Sequence, residues 1–73
     1  MAYIITKATR SPAWASIRNA YQGPACLQAG VTPGKVYNML EDVQADAAAL
    51  TRCNPVGFRV WKLGHMMPVE DKS

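Results

Sequence analysis

The chain has 73 residues, of which 49% are hydrophobic and 18% charged, and its formal net charge is +3. A chain of this length forms one domain with a small core, which leaves little room for a deep active site, and its composition does not indicate disorder. No apolar run reaches membrane-spanning length and the N terminus lacks the charge order of a signal peptide, so we expect a soluble cytoplasmic protein.

The first half of the chain contains several strand candidates. Residues 2–7 are rich in β-branched and aromatic side chains and predict a first strand. Residues 14–21 are a weaker candidate because alanines dilute the pattern, and residues 25–31 could pair with a neighbouring strand. The Thr-Pro-Gly sequence at 32–34 predicts a turn, since proline presets φ and glycine tolerates positive φ. Residues 35–37 would then form a short return strand.

The best-supported element is a helix over about residues 39–53. One side of it carries apolar residues in the 3-4-3 spacing of a helix that packs on a core, namely Leu40, Val43, Ala47 and Leu50. The alanines between them favour helix and allow close packing on a sheet. Asp42 and Asp46, four residues apart, are expected together on the solvated side.

Both ends of this helix match capping patterns. Asn38 can accept a hydrogen bond from a backbone N–H of the first turn, and Glu41 can reach back to the N–H of Asn38, which is the arrangement of a capping box. At the other end, Asn54 can adopt the left-handed conformation and Pro55 prevents the helix from continuing.

The last strand is expected over residues 58–63, which alternate with the period of two that strands require. Phe58 and Val60 fall on the face toward the helix, whereas Arg59 and Trp61 fall on the other face. The fold class predicted is α+β, with a three- to four-stranded, mostly antiparallel sheet and one amphipathic helix packed on one face.

This fold occupies a single domain over residues 1–64, and residues 65–73 are expected to form a flexible C-terminal tail. Charge is unevenly distributed along the domain, because residues 1–40 contain basic residues and no acid, whereas acids begin at Glu41. This asymmetry predicts a basic face opposite an acidic helix, with ordinary solvated surface as the alternative.

No grouping of residues predicts catalysis, a cofactor or a metal site. Cys26 and Cys53 are widely spaced and have no CxxC or His pair nearby, so we expect two free thiols, with a single disulfide as the alternative. His65 is the only histidine and has no Ser or Cys close to it in sequence, so a nucleophile and base pair is not indicated. A non-enzymatic binding protein is therefore expected.

The sheet face away from the helix is the predicted binding surface. One helix covers one face, so Arg59 and Trp61 should lie on an open face beside Tyr3 or Ile5 of the first strand. Trp, Tyr and Arg dominate the hot spots of protein interfaces. The alternative is that Trp61 and Trp14 close a small second core with the N-terminal loop.

Basic and aromatic residues along the chain also resemble a stacking platform for nucleic acid, although they are scattered and the helix is acidic. A protein is therefore the main partner predicted, nucleic acid is the alternative, and a homodimer formed through the last strand is a third possibility. The residues predicted to bind the partner are Arg59, Trp61, Tyr3, Arg18, Lys35 and Tyr37.

Two segments, residues 1–7 and residues 54–58, resemble small proteins encoded by bacteriophages and mobile elements. The opening Ala-Tyr-Ile-Ile looks like the first strand of some anti-CRISPR proteins of the type I systems. The match covers one strand and the general layout. This resemblance implies a non-enzymatic inhibitor that docks on a host protein complex, and it transfers no functional residues.

Overall fold

The computed structural model describes residues 2–10, 14–65 and 69. Its elements in chain order are strand β1 (Tyr3–Lys7), a 3-10 turn (Ile17–Asn19), helix α1 (Ala25–Ala29), helix α2 (Leu40–Cys53) and strand β2 (Phe58–Lys62). The protein is thus a small α+β domain, as predicted. Within the described residues no helix is both long and apolar enough to cross a bilayer.

The sheet has two antiparallel strands, in which Tyr3 pairs with Lys62 and Lys7 with Phe58. On the outer edge of β1, Tyr3 and Tyr37 form an isolated bridge with two backbone hydrogen bonds of 2.8 Å. The predicted three to four strands are therefore not confirmed for the part of the chain described. The return strand expected at residues 35–37 is reduced to this bridge, because α2 begins three residues after Tyr37.

The other two strand candidates are wrong. Residues 17–19 form the 3-10 turn, and Ala25–Ala29 form α1, which ends at Gly30 in the left-handed conformation with φ of 72°. Alanine favours helix, and Gly30 adopts positive φ without the steric cost that a Cβ imposes. Ala25 and Ala29 therefore favour α1 over the strand expected at residues 25–31.

Helix α2 packs against one face of the sheet, as predicted. Val43, Ala47 and Leu50 are buried and form a core with Tyr3 and Ile5 of β1. Phe58 and Val60 of β2 pack against the same core. Leu40, at the start of the apolar stripe, is 37% exposed and contributes less than its spacing suggests.

The predicted ends of α2 differ from the observed ones. The N-cap is Met39, which makes no side-chain hydrogen bond. Asn38 therefore lies one residue before the N-cap position, and Glu41 occupies the second helical position instead of the third. At the C-terminal end, Asn54 is extended, with φ of −143°, and not left-handed. The capping box is therefore wrong, although the helix boundaries are within one residue of those expected.

Asp46 is not part of a solvated acidic side with Asp42. Its Oδ2 accepts a short hydrogen bond of 2.5 Å from the hydroxyl of Tyr37, whereas Asp42 is exposed. Burial, together with this carboxylate, raises the pKa of Tyr37 well above its usual value. The bond ties the segment before α2 to the second turn of the helix.

A second core lies on the opposite face of the sheet. It contains Ile4, Trp61, Ala15 and Ala20, all buried, with Val36 and Leu63 packed against it. The segment from Trp14 to Ala20 therefore covers the face that the sequence pattern left open. Most of the predicted tail, residues 66–68 and 70–73, lies outside the described residues, and the N–H of Val69 donates to the carbonyl of Val60 at 2.7 Å.

Candidate protein-binding site

Trp61, predicted as an exposed anchor, belongs to the interior. Its side chain is 2% exposed, and its indole N–H donates to Oγ1 of Thr6 at 2.7 Å. Thr6 is itself fully buried. The prediction of an open face at Trp61 is wrong because residues 14–20 pack over it. The alternative of a second core is correct for Trp61 but not for Trp14, which is 58% exposed.

The two tyrosines predicted to bind a partner are also buried. Tyr3 is 9% exposed and Tyr37 3%, and both belong to the core beneath α2. The strand register explains the position of Tyr3, since odd-numbered residues of β1 face the helix and Ile4 faces Trp61. Neither aromatic ring can form a broad contact with a partner without a rearrangement of the core.

The three basic residues predicted to bind a partner are exposed but do not form one surface. Arg59 borders a groove between α2 and β2, whereas the ammonium of Lys35 lies 4.8 Å from the centroid of the Tyr37 ring. Arg18 projects from the 3-10 turn. Of the six predicted residues, Arg18 lies beside the exposed apolar side chains of Trp14 and Ile17.

Those side chains form the best candidate site, here named the Trp14 patch, which consists of Trp14, Ile17, Arg18 and Leu63. Trp14 is 58% exposed and Ile17 59%, whereas most of the large apolar side chains described pack in or against the two cores. The four residues line a shallow open groove of about 480 Å³. Exposed apolar clusters with an aromatic and an arginine are typical of protein-binding surfaces.

The backbone under the Trp14 patch is fixed by hydrogen bonds to the end of β2. The N–H of Ala15 donates to the carbonyl of His65 at 2.9 Å, and the N–H of Gly64 donates to the carbonyl of Ala15 at 2.7 Å. Gly64 has φ of 83°, and a Cβ placed there would lie 3.7 Å from Cζ2 of Trp14. The indole therefore lies beside the turn that ends β2.

The 3-10 turn that carries Ile17 and Arg18 is held by its own side chains. Oδ1 of Asn19 accepts hydrogen bonds from the N–H and the hydroxyl of Ser16, both at 3.0 Å. The N–H of Tyr21 then donates to the carbonyl of Ile5 at 2.7 Å, which joins the segment to the edge of β1. The patch thus rests on a backbone anchored at both ends.

A second depression, here named the basic groove, adjoins the Trp14 patch. It has a volume of about 380 Å³ and contains the exposed side chains of Lys7, Arg10 and Arg18. Arg18 also lines the groove of the Trp14 patch, so the two depressions share one side chain. The arrangement places a cluster of cations beside an apolar surface.

The cysteines are free thiols, as expected, and Cys26 is packed as a small hydrophobic residue. Burial raises the pKa of the Cys26 thiol, so it remains protonated and weakly nucleophilic near neutral pH. His65 is exposed, and its described bonds are backbone bonds to Ala15 and Lys62. These residues therefore add no chemistry to the Trp14 patch.

Sequence reasoning missed Trp14, Ile17, Leu63, Lys7 and Arg10 as site residues. The signal that could have revealed the patch is the composition of residues 14–18, where an aromatic, an aliphatic and an arginine side chain occur within five residues. The basic groove could not be found this way, because β1 and the 3-10 turn are joined in space by contacts that their sequence does not encode locally.

In comparison with known proteins, no protein-family model matches this chain, and no curated protein or solved structure matches it significantly. The function is therefore inferred from the geometry of the site and from the chemistry of its side chains.

Proposed function

We propose that this protein is a small non-enzymatic inhibitor that docks on a host protein complex through the Trp14 patch. The observation that carries the proposal is the exposure of Trp14 and Ile17 on a segment anchored by hydrogen bonds. Ordering flexible side chains and loops on binding costs free energy, and a preorganised apolar surface reduces that cost. An exposed indole next to an arginine is the typical composition of an interface hot spot.

The lining of the groove supports recognition in preference to chemical reaction. Ser16 supplies its hydroxyl, which donates to the side-chain oxygen of Asn19 and not to a basic nitrogen. Nucleophilic catalysis needs a base that accepts the proton of the nucleophile. A non-enzymatic role also agrees with the small size of the domain, whose described chain measures 28 × 23 × 19 Å along its principal axes.

The identity of the partner as a host complex rests on the resemblance of the first strand to type I anti-CRISPR proteins. The test is a plaque assay in bacteria that express an active type I CRISPR system directed against the infecting phage. We expect expression of this chain to restore plaque formation. Full immunity in the presence of the folded protein would contradict the proposed host target.

Variants in the same assay test whether the Trp14 patch is the docking surface. Trp14→Ala should abolish the restoration of plaques while the protein remains folded by circular dichroism. The matched control is Leu27→Ser, because Leu27 is 90% exposed on α1 and lies outside the patch. Inhibition that survives Trp14→Ala, or is lost equally with Leu27→Ser, would rule out this surface.

A second candidate function is nucleic-acid binding, favoured by the cluster of Lys7, Arg10 and Arg18 in the basic groove. Cations that neutralise phosphates release counterions, so such binding weakens steeply with salt. Retention on heparin that is lost at moderate ionic strength would favour this candidate. Elution that is indifferent to salt would contradict this candidate.

A further inference from the structure

Arg18 lies at the junction of an apolar depression and a cationic one. The groove of the Trp14 patch and the basic groove have separate linings, yet both include this side chain. A ligand that fills one groove therefore has its neighbouring atoms within reach of the other. The two depressions therefore adjoin at Arg18, so one bound segment can contact both.

The basic groove combines charge from two parts of the fold. Lys7 is the last residue of β1, Arg10 follows the strand, and Arg18 comes from the 3-10 turn. The groove also contains the amide side chains of Asn19 and Gln22. None of its lining residues is acidic, so the groove is complementary to negative charge.

We propose that the two grooves together recognise a single segment of a protein partner, in which an apolar side chain is flanked by aspartates or glutamates. The apolar side chain enters the groove beside Trp14, Ile17 and Leu63. The carboxylates bind in the basic groove, and Arg18 contacts both parts of the segment. This inference rests on the proposed protein-binding function and specifies the chemistry of the partner's surface.

The shape of the patch favours such a segment over nucleic acid. Bases stack on successive aromatic rings, whereas the neighbours of Trp14 in its groove are the aliphatic side chains of Ile17 and Leu63. Tyr21, the other aromatic nearby, packs edge-on against Phe58 with ring centroids 4.8 Å apart, and the Lys7 ammonium lies 5.8 Å from its ring. One free indole beside aliphatic residues is better suited to a protein side chain.

Charge on the rest of the domain supports one orientation of approach. Glu41 and Asp42 are exposed at the start of α2, which covers the opposite face of the sheet from residues 14–20. An acidic partner is therefore attracted to the basic groove and repelled by the helix. Complementary charge of this kind raises the association rate and suppresses incorrect orientations.

The test uses a synthetic peptide with the sequence Asp-Asp-Leu-Asp-Asp and blocked termini, titrated into the isotopically labelled full chain. We expect chemical-shift changes confined to residues 7–10, 14–22 and 63–64, with a dissociation constant of about 1 mM for so short a ligand. Arg18→Glu should weaken binding by about tenfold or more. Lys35→Glu is the matched control, because it changes the net charge equally at an exposed residue outside both grooves.

Two comparison ligands make the proposal falsifiable. The peptide Asn-Asn-Leu-Asn-Asn should bind at least tenfold more weakly, and equal binding would remove the basic groove from the interaction. A dodecamer of deoxythymidine that shifts the same residues at lower concentration than the acidic peptide would overturn the assignment in favour of nucleic acid. Absence of any shift with the acidic peptide would overturn it as well.

These outcomes are distinguishable from failure of the proposed function. If the acidic peptide does not bind but Trp14→Ala abolishes inhibition in the plaque assay, the docking surface stands and its acidic ligand is rejected. If the peptide binds as expected while the chain leaves immunity intact, the recognition chemistry stands and the proposed host target is rejected.

Discussion

The indole N–H of Trp61 donates a hydrogen bond to the hydroxyl of Thr6, 55 residues earlier in the chain, across a fully buried contact between β2 and β1. This bond satisfies the one polar atom of a large side chain that lies between the sheet and residues 14–20. Every described buried side-chain nitrogen or oxygen has such a partner. The bond therefore stabilises the second core by giving its buried indole N–H an acceptor.

Replacement of Thr6 by valine should destabilise the domain by about 1–3 kcal/mol, because the buried indole N–H loses its acceptor while the shape of the side chain is retained. Urea denaturation followed by circular dichroism measures the change. Thr6→Ser is the control, since it keeps the hydroxyl, and its loss should be the smaller of the two. A valine variant as stable as the parent would show that the hydrogen bond contributes nothing.

Replacement by alanine should lower the free energy of unfolding far more at Trp61 than at Trp14. Trp61→Ala removes a buried side chain and should cost about 3–5 kcal/mol, which leaves so small a domain largely unfolded. Trp14→Ala removes a half-exposed side chain and should cost less than about 1 kcal/mol. Thermal melts of the two variants measure the difference, and equal destabilisation would contradict the assignment of Trp14 to a binding surface.

The free energy of unfolding should decrease at alkaline pH because of Tyr37. Its pKa is raised in the folded state from a usual value near 10, chiefly by burial and then by Asp46. Above about pH 10 the unfolded chain loses this proton and the folded chain retains it, so stability falls by up to about 1.4 kcal/mol per pH unit. Below pH 10 both states are protonated and the full contribution is present.

Urea denaturation at pH 8, 10 and 11 measures this dependence, with Tyr37→Phe as the control. The phenylalanine variant should be less stable at pH 8, because the bond to Asp46 is lost, but should show a weaker decrease above pH 10. An identical decrease in both proteins would assign the alkaline transition to other groups.

The two thiols should react at different rates with a disulfide reagent. Cys53 is partly exposed near the end of α2, whereas Cys26 is 1% exposed and burial raises the pKa of its thiol. One thiol should therefore react rapidly in the native protein and the second only when the domain opens. Cys53→Ser should remove the rapid phase; a rapid phase that persists in this variant would contradict the burial of Cys26.

Local patterns in the sequence were sufficient to predict β1, β2 and α2. The alternation of Phe58 and Val60 and the spacing of Val43, Ala47 and Leu50 each report which side of an element is buried. Helix α1 was missed because five residues are too few to establish a period. The capping pattern of Asn38 and Glu41 failed because the helix begins one residue later, and sequence does not fix that boundary.

The candidate site could not be predicted from the sequence, because its position depends on a contact that no local pattern encodes. Alternation in β2 correctly placed Trp61 on the face away from the helix, but it cannot say whether that face meets water or another part of the chain. Ala15 and Ala20 are small enough for their backbone to approach the sheet closely, and this approach buries Trp61. The same packing of residues 14–20 on the sheet leaves Trp14 and Ile17 exposed to solvent. The exposed tryptophan is therefore Trp14 and not Trp61.

The groove beside Trp14 is completed by Leu63 and Gly64, whose N–H groups donate to the carbonyls of Ala2 and Ala15 respectively. The groove therefore cannot form on a nascent chain until residues 63 and 64 have left the ribosome and met the N-terminal segment. If the Trp14 patch binds a partner as proposed, recognition is restricted to chains in which the two ends of the domain have closed together.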